Sequence, residues 1–147
     1  MEYIKSSDVP FESLKGYECE VKVVYVVDGD TVHLIFREPL KFHYKKVIAR
    51  LAGINTPELN AEPEQAKRAR NVLTTYVTNS YIIEDDMRSS KELIPIFDTN
   101  TRLIYAKFLG KDKYSRELVE LFTYDNLNLS TISINQRMID SQYAKPY

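Results

Sequence analysis

The chain has 147 residues, of which 44% are hydrophobic, 28% charged and 12% aromatic, the composition of one soluble globular domain spanning residues 1–147. Twenty Lys and Arg against 21 Asp and Glu leave a formal net charge of −1, which excludes a polycation that binds by bulk attraction. A single cysteine, Cys19, excludes an intramolecular disulfide framework or a cysteine zinc site, suits a reduced compartment, and makes a disulfide-linked partner unexpected. No apolar stretch follows the opening Met-Glu-Tyr-Ile-Lys, and nowhere do about 18 apolar residues run together. The expectation is a soluble, intracellular chain with no membrane partner, short of a leader removed ahead of residue 1. Glycine is scarce, at 16, 29, 53 and 110 only, so each is expected to mark a turn with unusual backbone angles.

Residues 1–16 read as an N-terminal arm. From Tyr17 to Val27 and from Thr31 to Phe36 the chain is β-branched and aromatic, and Asp28-Gly29-Asp30 between the two runs predicts a hairpin. Val47 to Ala52, after the basic stretch Lys41 to Lys46, predicts a third strand ending at Gly53. Thr56-Pro57-Glu58 has the residue types of a helix start. The pattern restarts after Pro63: Ala66, Ala69, Leu73, Tyr76 and Val77 recur at helical spacing, with Lys67, Arg68, Asn71, Thr74 and Thr75 opposite. That predicts an amphipathic helix from about Glu62 to Thr78. The polar, acidic stretch 84–100 reads as a long loop or insertion. Leu103 to Leu109 and Glu117 to Tyr124 predict a second hairpin joined by the basic segment Gly110 to Arg116, and a short helix follows from Ile132 to Asp140. Three strands, a helix, two strands and a helix make an α+β chain, mainly β. A five-stranded closed barrel of the oligonucleotide-binding type satisfies that order, as do other α+β arrangements.

Four places carry residue types that suit chemistry. Asp28 and Asp30 put two carboxylates on a hairpin tip, a start for a hard-cation site or simply a common turn. Arg50 interrupts an apolar strand, where it either grips an anion or faces solvent. Asn55, Thr56 and Glu58 offer an amide, a carbonyl and a carboxylate, either completing a metal site beside a water-activating acid or merely capping a helix. Lys113, Tyr114 and Arg116 offer two cations and a ring, for phosphate and base contacts or as a solvated turn. His33, His43 and Cys19 have no partners at ligand spacing and read as surface or core residues.

Asp-Gly-Asp-Thr at 28–31, Arg-Leu-Ala-Gly-Ile-Asn-Thr-Pro-Glu at 50–58 and Asp-Lys-Tyr-Ser-Arg at 112–116 occur in this order with a helix between the second and third. This set resembles the staphylococcal nuclease (thermonuclease) family, over roughly Glu20 to Lys145, and Asn135-Gln136 resembles that family's last helix start. The resemblance implies a five-stranded oligonucleotide-binding barrel and a calcium-dependent phosphodiesterase acting on DNA and RNA. It implies that Arg50 and Arg116 stabilise the transition state and that Glu58 orients or deprotonates water. It also implies that Asp30, Asn55 and the Thr56 carbonyl hold calcium, and that Lys113 and Tyr114 contact a terminal phosphate. Three departures stand out: Asn55 where the family has Asp, removing a charge that strengthens calcium binding; Ser115 where it has Gly; and an end at Tyr147, so that the third helix is expected to be absent. Whether Tyr143 or Tyr147 serves as a base-stacking tyrosine stays open.

A metal-dependent nuclease is the leading expectation, since both arginines and the glutamate occur together. A non-catalytic nucleic-acid-binding barrel is the rival, favoured by Asn55, and a protein-interaction domain is the third reading. The charge is segregated: between Arg37 and Arg50 five cations stand against one acid, Glu38, while acidic excess lies in the first twenty residues and from Glu84 to Glu92. Oligomeric state, base preference and strandedness have no sequence signal here.

Overall fold

The computed structural model describes residues 3–8, 13–38 and 43–147. Part of the N-terminal arm and Lys41 of the basic stretch lie outside them. The chain forms β1 (Glu18–Asp28), β2 (Thr31–Arg37), β3 (Tyr44–Leu51), β4 (Ile54–Asn55), α1 (Pro63–Val77), α2 (Ile94–Thr99), β5 (Ile104–Lys111), β6 (Glu117–Phe122), β7 (Tyr124–Asp125), β8 (Asn128–Leu129), α3 (Ile134–Asp140) and β9 (Lys145–Pro146). Five strands close a barrel in the order β1-β2-β3-β6-β5, with β5 returning to β1. All its pairings are antiparallel except β3 with β6. The α+β, mainly β barrel of oligonucleotide-binding architecture is therefore present.

Alternation along each strand supplies the interior. Val21, Val23 and Val26 from β1, Val32, Leu34 and Phe36 from β2, Ala49 and Leu51 from β3, and Ile104, Ala106 and Phe108 from β5 are all buried. Register shifts in β1, between Val23 and Tyr25 and between Val26 and Asp28, let that long strand bend around the barrel. Ala69, Leu73 and Val77 of α1 and Ile134 and Met138 of α3 belong to the same core. Ser133 caps α3, its Oγ accepting from the Gln136 N–H at 3.0 Å.

Three local expectations are corrected. No helix starts at Thr56; the chain turns at 58–62 and α1 begins at Pro63. A residue before proline is held out of the helical region, and Glu62 adopts φ −137°, ψ 71°, so no helix can run through it. Second, the face of α1 that carries Asn71 and Thr74 is not solvated: both are buried, with Arg70 beside them. The following segment folds over that face, with Asn71 Nδ2 donating to the carbonyls of Glu84 and Asp86 and the Ile82 N–H to Thr75 Oγ1. Third, the 84–100 stretch is not all loop. Leu93 and Phe97 are buried on and beside α2.

An inward position of β6 is charged. Glu117 alternates inward with Val119 and Leu121, is 5% exposed, and leaves Oε2 without a hydrogen bond among the described residues. Burial pushes its carboxyl above the ordinary value, against the pull of Lys111 and Lys45. An acid raised in the folded state binds its proton more tightly there than in the unfolded chain, so its stability contribution falls as pH rises above the unfolded value of about 4.3. Glu117→Gln should melt higher than wild type at pH 8, with the gain shrinking toward pH 4 in thermal scans; a gain independent of pH would contradict this.

Candidate functional site

The β1–β2 turn lies against α1, and the reason is Gly29. A Cβ there would come within 2.7 Å of Ala69 Cβ and 2.9 Å of Thr56 Cγ2. Glycine is required at this turn for close approach, whereas Gly53 and Gly110, at φ 76° and 120°, meet the expectation of unusual backbone angles. The contact brings the hairpin tip onto the segment after β4. There Asp30, 7% exposed, accepts the Thr56 N–H at Oδ2 (3.2 Å) and the Thr31 hydroxyl at Oδ1 (3.0 Å).

Arg50 enters from β3. Its Nη2 donates to Asn55 Oδ1 at 2.8 Å and stands 3.6 Å from Asp30 Oδ2. Arg50 thus neither faces plain solvent nor lies unpaired. Its guanidinium also lies 5.2 Å from the ring centre of Tyr147. That ring arrives because β9 pairs with β4, and the Tyr147 N–H donates to the Gly53 carbonyl at 2.9 Å. Tyr143 is elsewhere, half-buried against the core, its hydroxyl raised by burial and by a hydrogen bond with Glu84.

The turn between β5 and β6 supplies the opposite wall. Asp112 gathers it: its Oδ1 accepts the N–H groups of Tyr114 (2.8 Å) and Arg116 (2.9 Å), and its Oδ2 accepts Arg116 Nε at 2.7 Å. Burial alone would raise this carboxyl; the bonds from Arg116 and Tyr114 outweigh it and hold Asp112 below the ordinary carboxylate value. Only Nε of the Arg116 guanidinium is engaged, so Nη1 and Nη2 have no hydrogen bond among the described residues. The Tyr114 ring lies 5.4 Å from this guanidinium and 5.2 Å from Lys113 Nζ. Ser115 sits at φ 64°, so the turn keeps a left-handed residue although glycine is absent.

These segments enclose a cleft of about 860 Å³ that Asp30, Arg50, Asn55, Thr56, Glu58, Lys113, Tyr114 and Arg116 all line. Every residue singled out in the three motifs therefore meets in one place, with Glu58 exposed at its wall. Asp28, Asp112 and Tyr147 line it too. Asp28 reads with Asp30 as a start for a cation site and Asp112 is visible in its motif without a role, while of the two tyrosines left open it is Tyr147, delivered by a strand pairing, that lines the cleft. His33, His43 and Cys19 do not line it.

The electrostatics suit a hard cation. Asp28 and Asp30 sit close enough that burial first, then the hydrogen bond to and repulsion from Asp30, push the Asp28 carboxyl up to about 7. Asp28 is half-buried and Asp30 buried, and Arg50 stands against the pair with Nη2 3.6 Å from Asp30 Oδ2. Thr56 Oγ1 is buried with no hydrogen-bond partner among the described residues. No group of three or more His, Cys, Asp or Glu gathers as a metal site among the described residues. Asp30, Asn55 and Thr56, the oxygen ligands that the resemblance implies for calcium, all line the cleft, and Asn55 Oδ1 already accepts from Arg50. Asn135 fixes the β3–β4 turn: its Nδ2 donates to the Ala52 and Val119 carbonyls, both at 2.9 Å, and its Oδ1 accepts the Leu121 N–H.

No known protein family, curated protein or solved structure matches the chain. No helix among the described residues is long and apolar enough to cross a membrane. Because the cleft depends on the hairpin tip reaching α1, Gly29→Ala should cost about 1–3 kcal/mol in urea unfolding and move the amide resonances of Asp30 and Thr56. An unchanged stability and spectrum would show that the contact is not needed.

Proposed function

We propose that the chain is a metal-dependent nuclease of the thermonuclease type, a phosphodiesterase that hydrolyses DNA or RNA with calcium as its cation. The observation that carries this reading is the meeting of two guanidiniums and one exposed carboxylate, from three separate segments, beside the half-buried Asp28 and buried Asp30 carboxylates. A binding surface has no need of that combination.

Phosphodiester hydrolysis requires a water oxygen to attack phosphorus, the phosphorus–oxygen bond to the leaving sugar to break, and negative charge on the non-bridging oxygens to be offset. Glu58 takes or orients the proton of the attacking water. Arg116, oriented by Asp112 through Nε, offers its two Nη groups to the non-bridging oxygens, a planar fork that matches phosphate. Arg50 reaches the same phosphate from the opposite wall once its bond to Asn55 gives way. Lys113 and Tyr114 hold a neighbouring phosphate and sugar at the rim. Calcium, held by Asp30, Asn55 and the Thr56 carbonyl, would supply further positive charge to the phosphate.

A second reading keeps the nucleic acid and drops the chemistry: a non-catalytic binding barrel. The observation in its favour is that Asn55 carries no charge and its Oδ1 is taken by Arg50, which weakens a calcium site. One assay separates the two readings. Single-stranded and plasmid DNA should be degraded in calcium and not in chelator, and Glu58→Gln and Arg116→Ala should each slow cleavage by about 10²–10⁴-fold. Binding without cleavage would establish the second reading, and equal slow degradation by wild type and both variants would refute the nuclease.

A further inference from the structure

Ala52 and Gly53 line the cleft and also a second, smaller cavity of about 270 Å³, whose other walls include Ile54, Leu109, Glu120 and Ile139. This cavity opens onto the outer face of β5 and β6. Ala106 and Phe108 on β5 and Val119 and Leu121 on β6 point into the barrel, so Tyr105, Lys107, Leu109, Glu120 and Phe122 point out. Register sets Lys107 between two acids, Glu18 of β1 and Glu120 of β6, and sets Tyr105 between Glu20 and Phe122. Lys107 pairs with neither acid. Its ammonium lies 5.1 Å from the centre of the Phe122 ring, and Glu18 Oε1 accepts the Tyr105 hydroxyl at 2.8 Å. Glu120, half-buried in the cavity wall, accepts no hydrogen bond and meets no cation at ion-pair distance among the described residues. Leu109 beside it is 41% exposed.

A half-buried carboxylate ordinarily has a donor or a cation, and here the lysine one ladder step away has turned to a ring instead. Three acids, Glu18, Glu20 and Glu120, stand against one cation, Lys107, in these two rows, which disfavours a phosphate backbone and equally a second copy of the same face. The cavity is smaller than the about 300–1,000 Å³ of ordinary small-molecule sites. Its aliphatic walls, Ile54, Leu109 and Ile139, suit one apolar side chain. The Phe122 ring already receives an ammonium, and Tyr105 presents a second ring beside it. We propose that this face docks an extended, basic segment of a partner protein, with an aliphatic side chain in the cavity and a neighbouring Lys or Arg on Glu120. Further cations of the segment reach Glu18 and Glu20, since Tyr105 lies about 13 Å along β5 from Leu109, the span of about four extended residues. The closed barrel offers no free edge here, so side chains rather than an added strand hold the segment. The site is independent of the phosphate chemistry of the cleft, which neither Leu109 nor Glu120 lines.

The test is fluorescence anisotropy of the full chain with a labelled peptide, Gly-Ser-Leu-Arg-Lys-Arg-Ser-Gly, followed by ¹⁵N-resolved NMR. Binding should shift the amides of Lys107, Leu109, Glu120 and Phe122 and leave those of Thr56 and Arg116 in place. Replacing the leucine of the peptide by alanine should weaken binding about fivefold or more, and replacing its cations by glutamate should abolish it. Glu120→Lys should weaken binding about fivefold or more and keep the wild-type melting temperature, because that side chain has no partner to lose. Asp98→Lys, the same change of net charge made on α2, should leave the affinity within about twofold. Equal losses from the two variants, shifts confined to the cleft, equal binding of the glutamate peptide, or no binding of the basic peptide would each overturn the docking site. Self-association in sedimentation that Glu120→Lys abolishes would overturn it in favour of an interface between copies of this chain.

Discussion

The buried carboxylate of Asp30 is the interaction on which the cleft depends. A carboxylate taken out of water needs donors, and the cost of leaving it unpaired is several kcal/mol. Asp30 finds them in three segments: the hydroxyl of Thr31 in its own hairpin, the N–H of Thr56, and the Arg50 guanidinium. Satisfying one charge therefore positions the turn that carries Asn55 and Glu58 and draws Arg50 toward it. Beside it, burial and the neighbouring Asp30 push the Asp28 carboxyl up to about 7.

Around that carboxylate the fold is organised so that flexible side chains become fixed. Gly29 lets the hairpin tip reach Ala69 and Thr56. Asn135 ties α3 to the carbonyls of Ala52 and Val119, and so steadies the turn from β3 into β4. On the far wall Asp112 does for Arg116 what Asp30 does for Arg50, but through Nε alone, which leaves the fork of Arg116 open. The two arginines thus arrive prepared to different degrees, one held by an amide and a carboxylate and the other presented. A ring lies near each, Tyr147 by Arg50 and Tyr114 by Arg116.

The barrel was legible because its signals are local. Val- and Tyr-rich alternation around Asp28-Gly29, the apolar run at 47–52 and the helical spacing of Ala66, Ala69 and Leu73 each depend on neighbours in sequence. What escaped depends on segments far apart. Asn71 and Thr74 read as part of the polar face of α1, and it is residues 82–86 that cover that face; β4 and β9 are two-residue strands whose pairing no local pattern announces. Among the site residues, Asp30, Arg50, Asn55, Thr56, Glu58, Lys113, Tyr114 and Arg116 were visible because each lies in a motif. The choice of Tyr147 over Tyr143 and the orienting role of Asp112 emerge only from tertiary contacts.

The central claim is that this cleft receives a phosphate between two arginines beside a hard cation. Its most direct test is a ¹⁵N-resolved NMR titration with a nucleoside 3′,5′-bisphosphate, first alone and then with calcium. The nucleotide should shift the amides of Tyr114 and Arg116, calcium should add shifts at Asp30, Asn55 and Thr56, and each ligand should tighten the other's binding. Shifts confined to other surfaces, or none with either ligand, would contradict it.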